Sequence, residues 1–157
     1  MDTLLVVGDG PVRDKLVAIA QLLGWEVHAT ATAEEALARV AQADAVVVTS
    51  HDVEVAGAVL AAALAADISY IGQMGSRPGQ DKRRQWLLEH DVSQAAQDAI
   101  HGPAGLDIAA DTPAEIAVSI LAEVVCVLRD GKAISLRDRP GPIHPELTSG
   151  EAFCPEG

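Results

Sequence analysis

Short apolar runs alternate strictly with helix-period segments along the first seventy residues, and that alternation decides the fold class. Leu4-Leu5-Val6-Val7, residues 25–30, Ala45-Val46-Val47-Val48-Thr49 and Ile68-Ser69-Tyr70-Ile71 read as strands. The first and third are nearly continuous apolar runs, the pattern of a strand covered on both faces. Between the first two strands, residues 12–23 place apolar side chains at steps of three and four, and Gly24 stops that helix. Thr32 followed by Glu35 is a capping-box pattern opening a short helix to about Val40, and the Ala-rich stretch 53–66 is a third helix. Strand and helix in turn, joined by short connections, predict parallel βαβ units. The expected architecture is α/β: a three-layer Rossmann-like fold with a mainly parallel, doubly wound sheet. Residues 78–89 continue as a polar-faced helix, Ser93 caps a further short one, and residues 101–107 read as a loop. Thr112-Pro113-Ala114-Glu115 is a helix start, with Thr as cap, Pro at the first position and Glu at the third. That helix runs to about Arg129. Residues 1–130 thus form one domain, and residues 131–157, with four prolines, an extended tail that drapes over the body or a partner.

Charge narrows the function classes. Acidic residues number 23 against 11 basic, a formal charge of −12, which argues against nucleic acid and anionic membrane surfaces as bulk partners. No apolar run approaches the roughly 20 residues of a membrane span. Met1-Asp2 opens no basic n-region, so a secretory signal is not expected. Cys126 and Cys154 are too far apart in sequence for a zinc ligand set or a disulfide framework, and the expected compartment is the cytoplasm. Cys126 is expected to be an inert core residue and Cys154 a tail thiol.

Four segments carry polar chemistry. Gly8-Asp9-Gly10 follows the first strand and opens a helix, the arrangement that sets backbone amides against a pyrophosphate. Arg13 occupies the third glycine position of that pattern, and the strand-two end, Ala29-Thr30-Ala31-Thr32, has no carboxylate for a ribose. A plain tight turn fits equally. Gly72-Gln73-Met74-Gly75-Ser76-Arg77 follows the fourth strand, at the end where open α/β sheets bind ligands. Its glycines permit close approach, Ser76 donates a hydroxyl, and Arg77 offers a fork for phosphate or carboxylate. Arg77, Lys82, Arg83 and Arg84 against the single acid Asp81 make a basic segment in an acidic chain. It reads as an anion site or as a solvated helix face. His101-Gly102-Pro103-Ala104-Gly105-Leu106-Asp107 leads to the Thr112 cap, where His101 and the first helical amides are candidate anion donors. A structural loop is the simpler reading there. Thr49-Ser50-His51-Asp52 ends the third strand. Adjacent residues cannot form a catalytic triad, so His51 or Ser50 lines the crevice and Asp52 caps the next helix.

Three of these runs, in this order, resemble the C-terminal Rossmann domain of the XdhC/CoxI family, accessory proteins of molybdenum hydroxylases such as xanthine dehydrogenase and carbon monoxide dehydrogenase. They are Tyr70 to Arg77, Ile100 to Ile108, and Thr112 to Ile120. The resemblance covers roughly residues 3–130. It implies a cofactor chaperone rather than a turnover enzyme, one that binds molybdopterin, promotes its sulfuration and hands it to the target apoenzyme. The candidate cofactor-binding residues are Gly8, Gly10, His51, Gly72, Gly75, Ser76, Arg77, His101, Asp107 and Thr112. No metal ligands are expected. Longer family members carry an N-terminal domain with a Cys-containing motif, so a second polypeptide supplying it is an implied partner beside the hydroxylase apoenzyme. A homodimer is the commonest assembly for such a chain. Two other functions fit the residues: an NAD(P)- or nucleotide-binding oxidoreductase or regulator, and an interaction module that docks through its tail.

Overall fold

The computed structural model describes residues 1–144. Five strands, β1 (Thr3–Val7), β2 (Glu26–Thr30), β3 (Ala45–Val48), β4 (Tyr70–Gln73) and β5 (Ile100–His101), form one sheet in the order β2-β1-β3-β4-β5. Every neighbouring pair is parallel. Among the described residues, five α-helices lie between them, α1 (Pro11–Leu22), α2 (Ala33–Leu37), α3 (Val53–Ala65), α4 (Arg77–Glu89) and α5 (Gln94–Gln97), and α6 (Pro113–Leu128) follows β5. The expected three-layer, doubly wound sheet is present and is entirely parallel.

The strand pleat sorts side chains between two cores. Leu5, Val7, Val46, Val48, Ile71 and Ile100 point to the face covered by α2, α3 and α4. Leu4, Val6, Ala45, Val47 and Tyr70 point to the face covered by α1 and α6. Burial on both faces is why β1 and β3 have no alternation. With so few aromatics, close helix approach fills the space: a Cβ on Gly57 of α3 would enter the Trp86 ring on α4.

Several boundaries differ from the sequence expectation. β4 begins at Tyr70, because the Ile68 amide donates to Ala63 O at 3.3 Å and closes the end of α3. β4 also takes in Gly72 and Gln73. Ile100–His101, expected in part as loop, is the edge strand β5, and a strand of two residues is too short to show a period. α2 ends at Leu37, and a 3₁₀ turn, Val40–Gln42, follows. Cys126 is half-buried rather than a core residue. In the tail, Ile134, Leu136 and Ile143 are each more than half exposed, so the described part does not bury its apolar side chains on the body. Cys154 lies outside the described residues.

The caps behave as the sequence indicated. Thr112 Oγ1 accepts from the Glu115 amide at 3.2 Å, and Glu115 Oε2 accepts from the Thr112 and Asp111 amides at 3.0 and 2.8 Å. Thr112→Ala is expected to cost about 1 kcal/mol in urea denaturation. The Thr112 amide first, then that of Asp111, holds the Glu115 carboxyl below its ordinary pKa of 4.5. A depressed carboxylate stabilises above its ordinary pKa, and the contribution is lost as pH falls through the depressed value. Amide chemical shifts at 111–116 should therefore change in acid, below pH 4.5, before the rest of α6 responds.

Candidate functional site

The carboxyl ends of β3 and β4 open on the same end of the sheet. Between them lies a cleft of about 220 Å³, walled by Ser50 and His51 after β3, Gly75 and Ser76 after β4, and Lys82 and Arg83 of α4. Local rules build both rims. Asp52 Oδ1 accepts from the Glu54 and Val55 amides and caps α3, as expected. Ser50 Oγ accepts from the Asp52 amide at 3.2 Å and shapes the turn. Gly75 stands at φ 140°, a conformation that disfavours a side chain, and Ser76 then caps the 13-residue α4.

Three buried polar residues underlie this rim. Arg83, only 3% exposed, donates from one terminal nitrogen to Gln73 Oε1 at 2.8 Å. Gln80 donates to the carbonyls of Gln73 and Gly75 at 3.3 and 3.4 Å. Among the described residues, Arg83 Nε and Gln80 Oε1 have no hydrogen-bond partner. Burial, then the neighbouring Arg84 charge, pulls the Arg83 pKa below its ordinary value, yet arginine keeps its proton at neutral pH. Gly102 makes room for this pair: a Cβ there would meet Gln80 Oε1 and lie 2.6 Å from an Arg83 nitrogen. The Ala104 amide donates to Gln73 O at 2.9 Å, so the Gly72–Arg77 and His101–Asp107 runs, separate in sequence, join at Gln73. Gln73 and Gln80 were not among the residues singled out by sequence. The usable signal was spacing: Gln80 and Arg83 fall on the face of α4 that carries the core residue Leu87.

The sequence candidates separate into groups. His51, Gly75 and Ser76 line the cleft, whereas Arg77 is the exposed first residue of α4 and is not in its wall. Gly72 is buried inside β4, where its missing side chain accommodates the Tyr70 phenol. His101 pairs with Gly72 across β4 and β5 and stacks on Tyr70 with ring centroids 4.7 Å apart. Its Nδ1 is 3.4 Å from Glu123 Oε1, which also accepts from Tyr70 Oη at 2.7 Å and the Gly105 amide at 3.1 Å. Glu123 was not anticipated, although an acid three residues beyond the core residue Ile120 on α6 was a legible anomaly. Asp107 Oδ1 accepts from the Ala109 amide, and Thr112 is occupied by its capping box.

Gly8 and Gly10 belong to the β1–α1 turn. Gly8 is needed for packing, since a Cβ would meet Thr49 Oγ1 and lie 2.6 Å from the Ser50 amide nitrogen. Gly10 faces open space, and α1 begins without a side-chain cap. At the end of β2, Thr30 Oγ1 donates to Glu35 Oε2 at 2.5 Å. A carboxylate therefore does reach the strand-two end, from α2 rather than from the strand itself. Glu35 lines a separate open cleft with Thr30, His28 and Arg39.

A parallel, doubly wound sheet with a cation-bearing cleft at its strand carboxyl ends defines a Rossmann-type domain. The family model for the XdhC Rossmann domain matches residues 4–124, and the chain belongs to that family. A solved structure from Bacillus halodurans, described as a xanthine dehydrogenase, superimposes with a TM-score of 0.65 at 23% identity, over 84% of this chain and 44% of that one. The present chain thus spans less than half of that relative. No curated protein sequence matches it. Among the described residues, no helix is long and apolar enough to cross a membrane.

Proposed function

We propose that this chain serves the maturation of a molybdenum hydroxylase, holding molybdopterin in the cleft between the β3 and β4 ends and passing it to the apoenzyme. The observation that carries this reading is that the family's own motif, Gly75-Ser76, meets a cationic wall at the ligand-binding end of the sheet. A phosphate-bearing pterin fits such residues. Ser76 and the first turn of α4 suit an anion, Lys82 and Arg83 supply charge, and Arg77 stands beside the cleft at the head of α4. His51 completes the opposite rim. An overall charge of −12 does not oppose this, because the local field of the pocket governs an anion's approach. The protein's share of the work is binding, orientation and shielding, with the redox chemistry left to the cofactor. The hydroxylase apoenzyme is the proposed partner. Titration of the purified chain with molybdopterin is expected to give a saturable absorbance change. Arg77→Ala should weaken it several-fold, and no saturable change in wild type would refute the reading.

A second reading has its own observation. Glu35 at the end of β2 suits a nucleotide ribose, and α1 begins without a side-chain cap, as in an NAD(P)- or nucleotide-binding domain. Calorimetric titration with NAD, NADP and ATP separates the two readings: micromolar binding abolished by Glu35→Ala favours the nucleotide.

A further inference from the structure

We propose that the β3–β4 cleft recognises a terminal phosphate monoester, with the buried Arg83 guanidinium as the charge that holds it. The inference rests on the cofactor reading above and deepens it by naming the chemical group that the cleft reads.

Arg83 is the anomaly that demands a ligand. An arginine only 3% exposed loses most of its hydration and needs acceptors in return. Gln73 provides one neutral oxygen, and Nε has none. The chain has twice as many acids as bases, yet Arg83 makes no ion pair among the described residues. Asp98 lines the depression on the far side of Arg83 without pairing with it, and Asp81, on the same helix, is engaged by Arg84 at 3.1 Å. Natural chains rarely bury an arginine without a carboxylate or another anion. The other groups on the cleft side point the same way. Lys82 adds a second cation, Ser76 a hydroxyl, and the α4 N-terminus its partial positive charge. That helix end alone would not suffice: Pro78 has no N–H and the Gly79 amide is taken by Ser76 Oγ, leaving chiefly the Arg77 amide.

Size and charge select the monoester. A cleft of about 220 Å³ is smaller than the roughly 300–1,000 Å³ of sites that enclose a whole small molecule. It admits the end of a ligand. A phosphate monoester ends a chain and presents three oxygens with a charge of about −1.5 to −2 at neutral pH. A diester must continue on both sides and carries one charge. Free phosphate presents the same near-dianionic set of terminal oxygens, so the cleft's occupant is either that ion or the terminal monoester of a larger molecule such as the pterin.

The test uses the full chain labelled with ¹⁵N. The Arg83 Nε–H resonance, assigned by its loss in Arg83→Gln, is followed during titration with inorganic phosphate, glycerol 3-phosphate and NAD, whose two phosphates are both internal, each with one ester bond, one anhydride bond and a single charge. Saturable shifts with phosphate and glycerol 3-phosphate, and none with NAD, are expected. Tighter binding of glycerol 3-phosphate identifies a ligand-borne monoester as the natural occupant, and tighter binding of phosphate identifies the free ion. Affinity for the better ligand should fall at least tenfold in Arg83→Gln and less than twofold in Arg84→Gln. No shift with either phosphate or glycerol 3-phosphate, an equal shift with NAD, or unchanged affinity in a folded Arg83→Gln would overturn the proposal and leave Arg83 a packing residue. If Arg83→Gln does not fold, Arg83→Lys, which keeps the charge and removes the guanidinium, assigns the resonance and the wild-type titration decides. Molybdopterin binding with the Arg83 resonance unmoved would remove the monoester assignment and spare the cofactor reading. Phosphate binding without molybdopterin binding would do the reverse.

Discussion

Gly8→Ala is expected to destabilise the domain by about 3 kcal/mol, from overpacking and backbone strain together. The new Cβ would enter the space of Thr49 Oγ1 and lie 2.6 Å from the Ser50 nitrogen and 2.9 Å from the Thr49 carbonyl carbon. Two of those atoms are backbone, held because the Thr49 and Ser50 amides both donate to Val7 O at 2.8 and 3.1 Å. Neither loop can withdraw without breaking the β1–β3 junction, and a φ of 138° is itself unfavourable for alanine. Gly10→Ala is the control. Its φ is 97°, but nothing lies within 4 Å of the added methyl, so only strain of about 1 kcal/mol remains. Urea denaturation of the two variants measures the difference. Equal losses would mean that the β1–α1 turn gives way and that the close packing is not limiting. Because Ser50 is also a wall of the cleft, Gly8→Ala should weaken ligand binding beyond what Gly10→Ala does.

Replacing Glu123 by Leu should cost a similar amount, about 3 kcal/mol, because one carboxylate oxygen serves several groups. Its loss strands the Tyr70 hydroxyl, on a side chain with no exposure, and the Gly105 amide that fixes the His101–Asp107 loop. Tyr70→Phe alone should cost only about 1 kcal/mol. In the double variant the phenol is no longer stranded, so the combined loss should be smaller than the sum of the two. Additive losses would show that Glu123 acts through Gly105 and His101 alone. Burial first, then the hydrogen bond to Glu123, raises the Tyr70 pKa far above its ordinary value of 10. A raised pKa favours the neutral form in the folded state. The contribution is therefore complete below pH 10 and declines as pH rises beyond it, where the unfolded chain ionises. The phenolate absorbance of Tyr70 should appear only with alkaline unfolding, and appearance at the ordinary value in the native protein would contradict this account.

Much of the site was legible in the residues, but not its connections. Asp52 and Thr112 are caps whose partners lie within three residues, so local spacing sufficed to place them, whereas Ser76, read as a hydroxyl donor to a ligand, also caps α4. The glycines were harder. Gly72 and Gly75 look alike in sequence, yet the first makes room for a tyrosine ring and the second turns the chain into the cleft. Arg83 was one of a basic run that read equally well as a solvated face. Its burial depends on Gly102, nineteen positions away, having no side chain. Glu35 and Glu123 likewise find their partners through strand ends that no local pattern joins.

The alternation of buried strands with helices, and the short caps between them, was enough to set a doubly wound α/β fold, because periodicity and capping are local properties of the chain. The order of three short motifs was enough to indicate the family. Which polar residues meet was settled only by the parallel register and by the close approach of loops at the strand ends. Register brings Gly72 beside His101, and the loop after β5 sets Gly102 over Arg83 and Gln80. The −12 charge of the chain is a bulk quantity that periodicity does not localise: that Arg83 is buried, with no ion pair among the described residues, was decided by the tertiary structure alone.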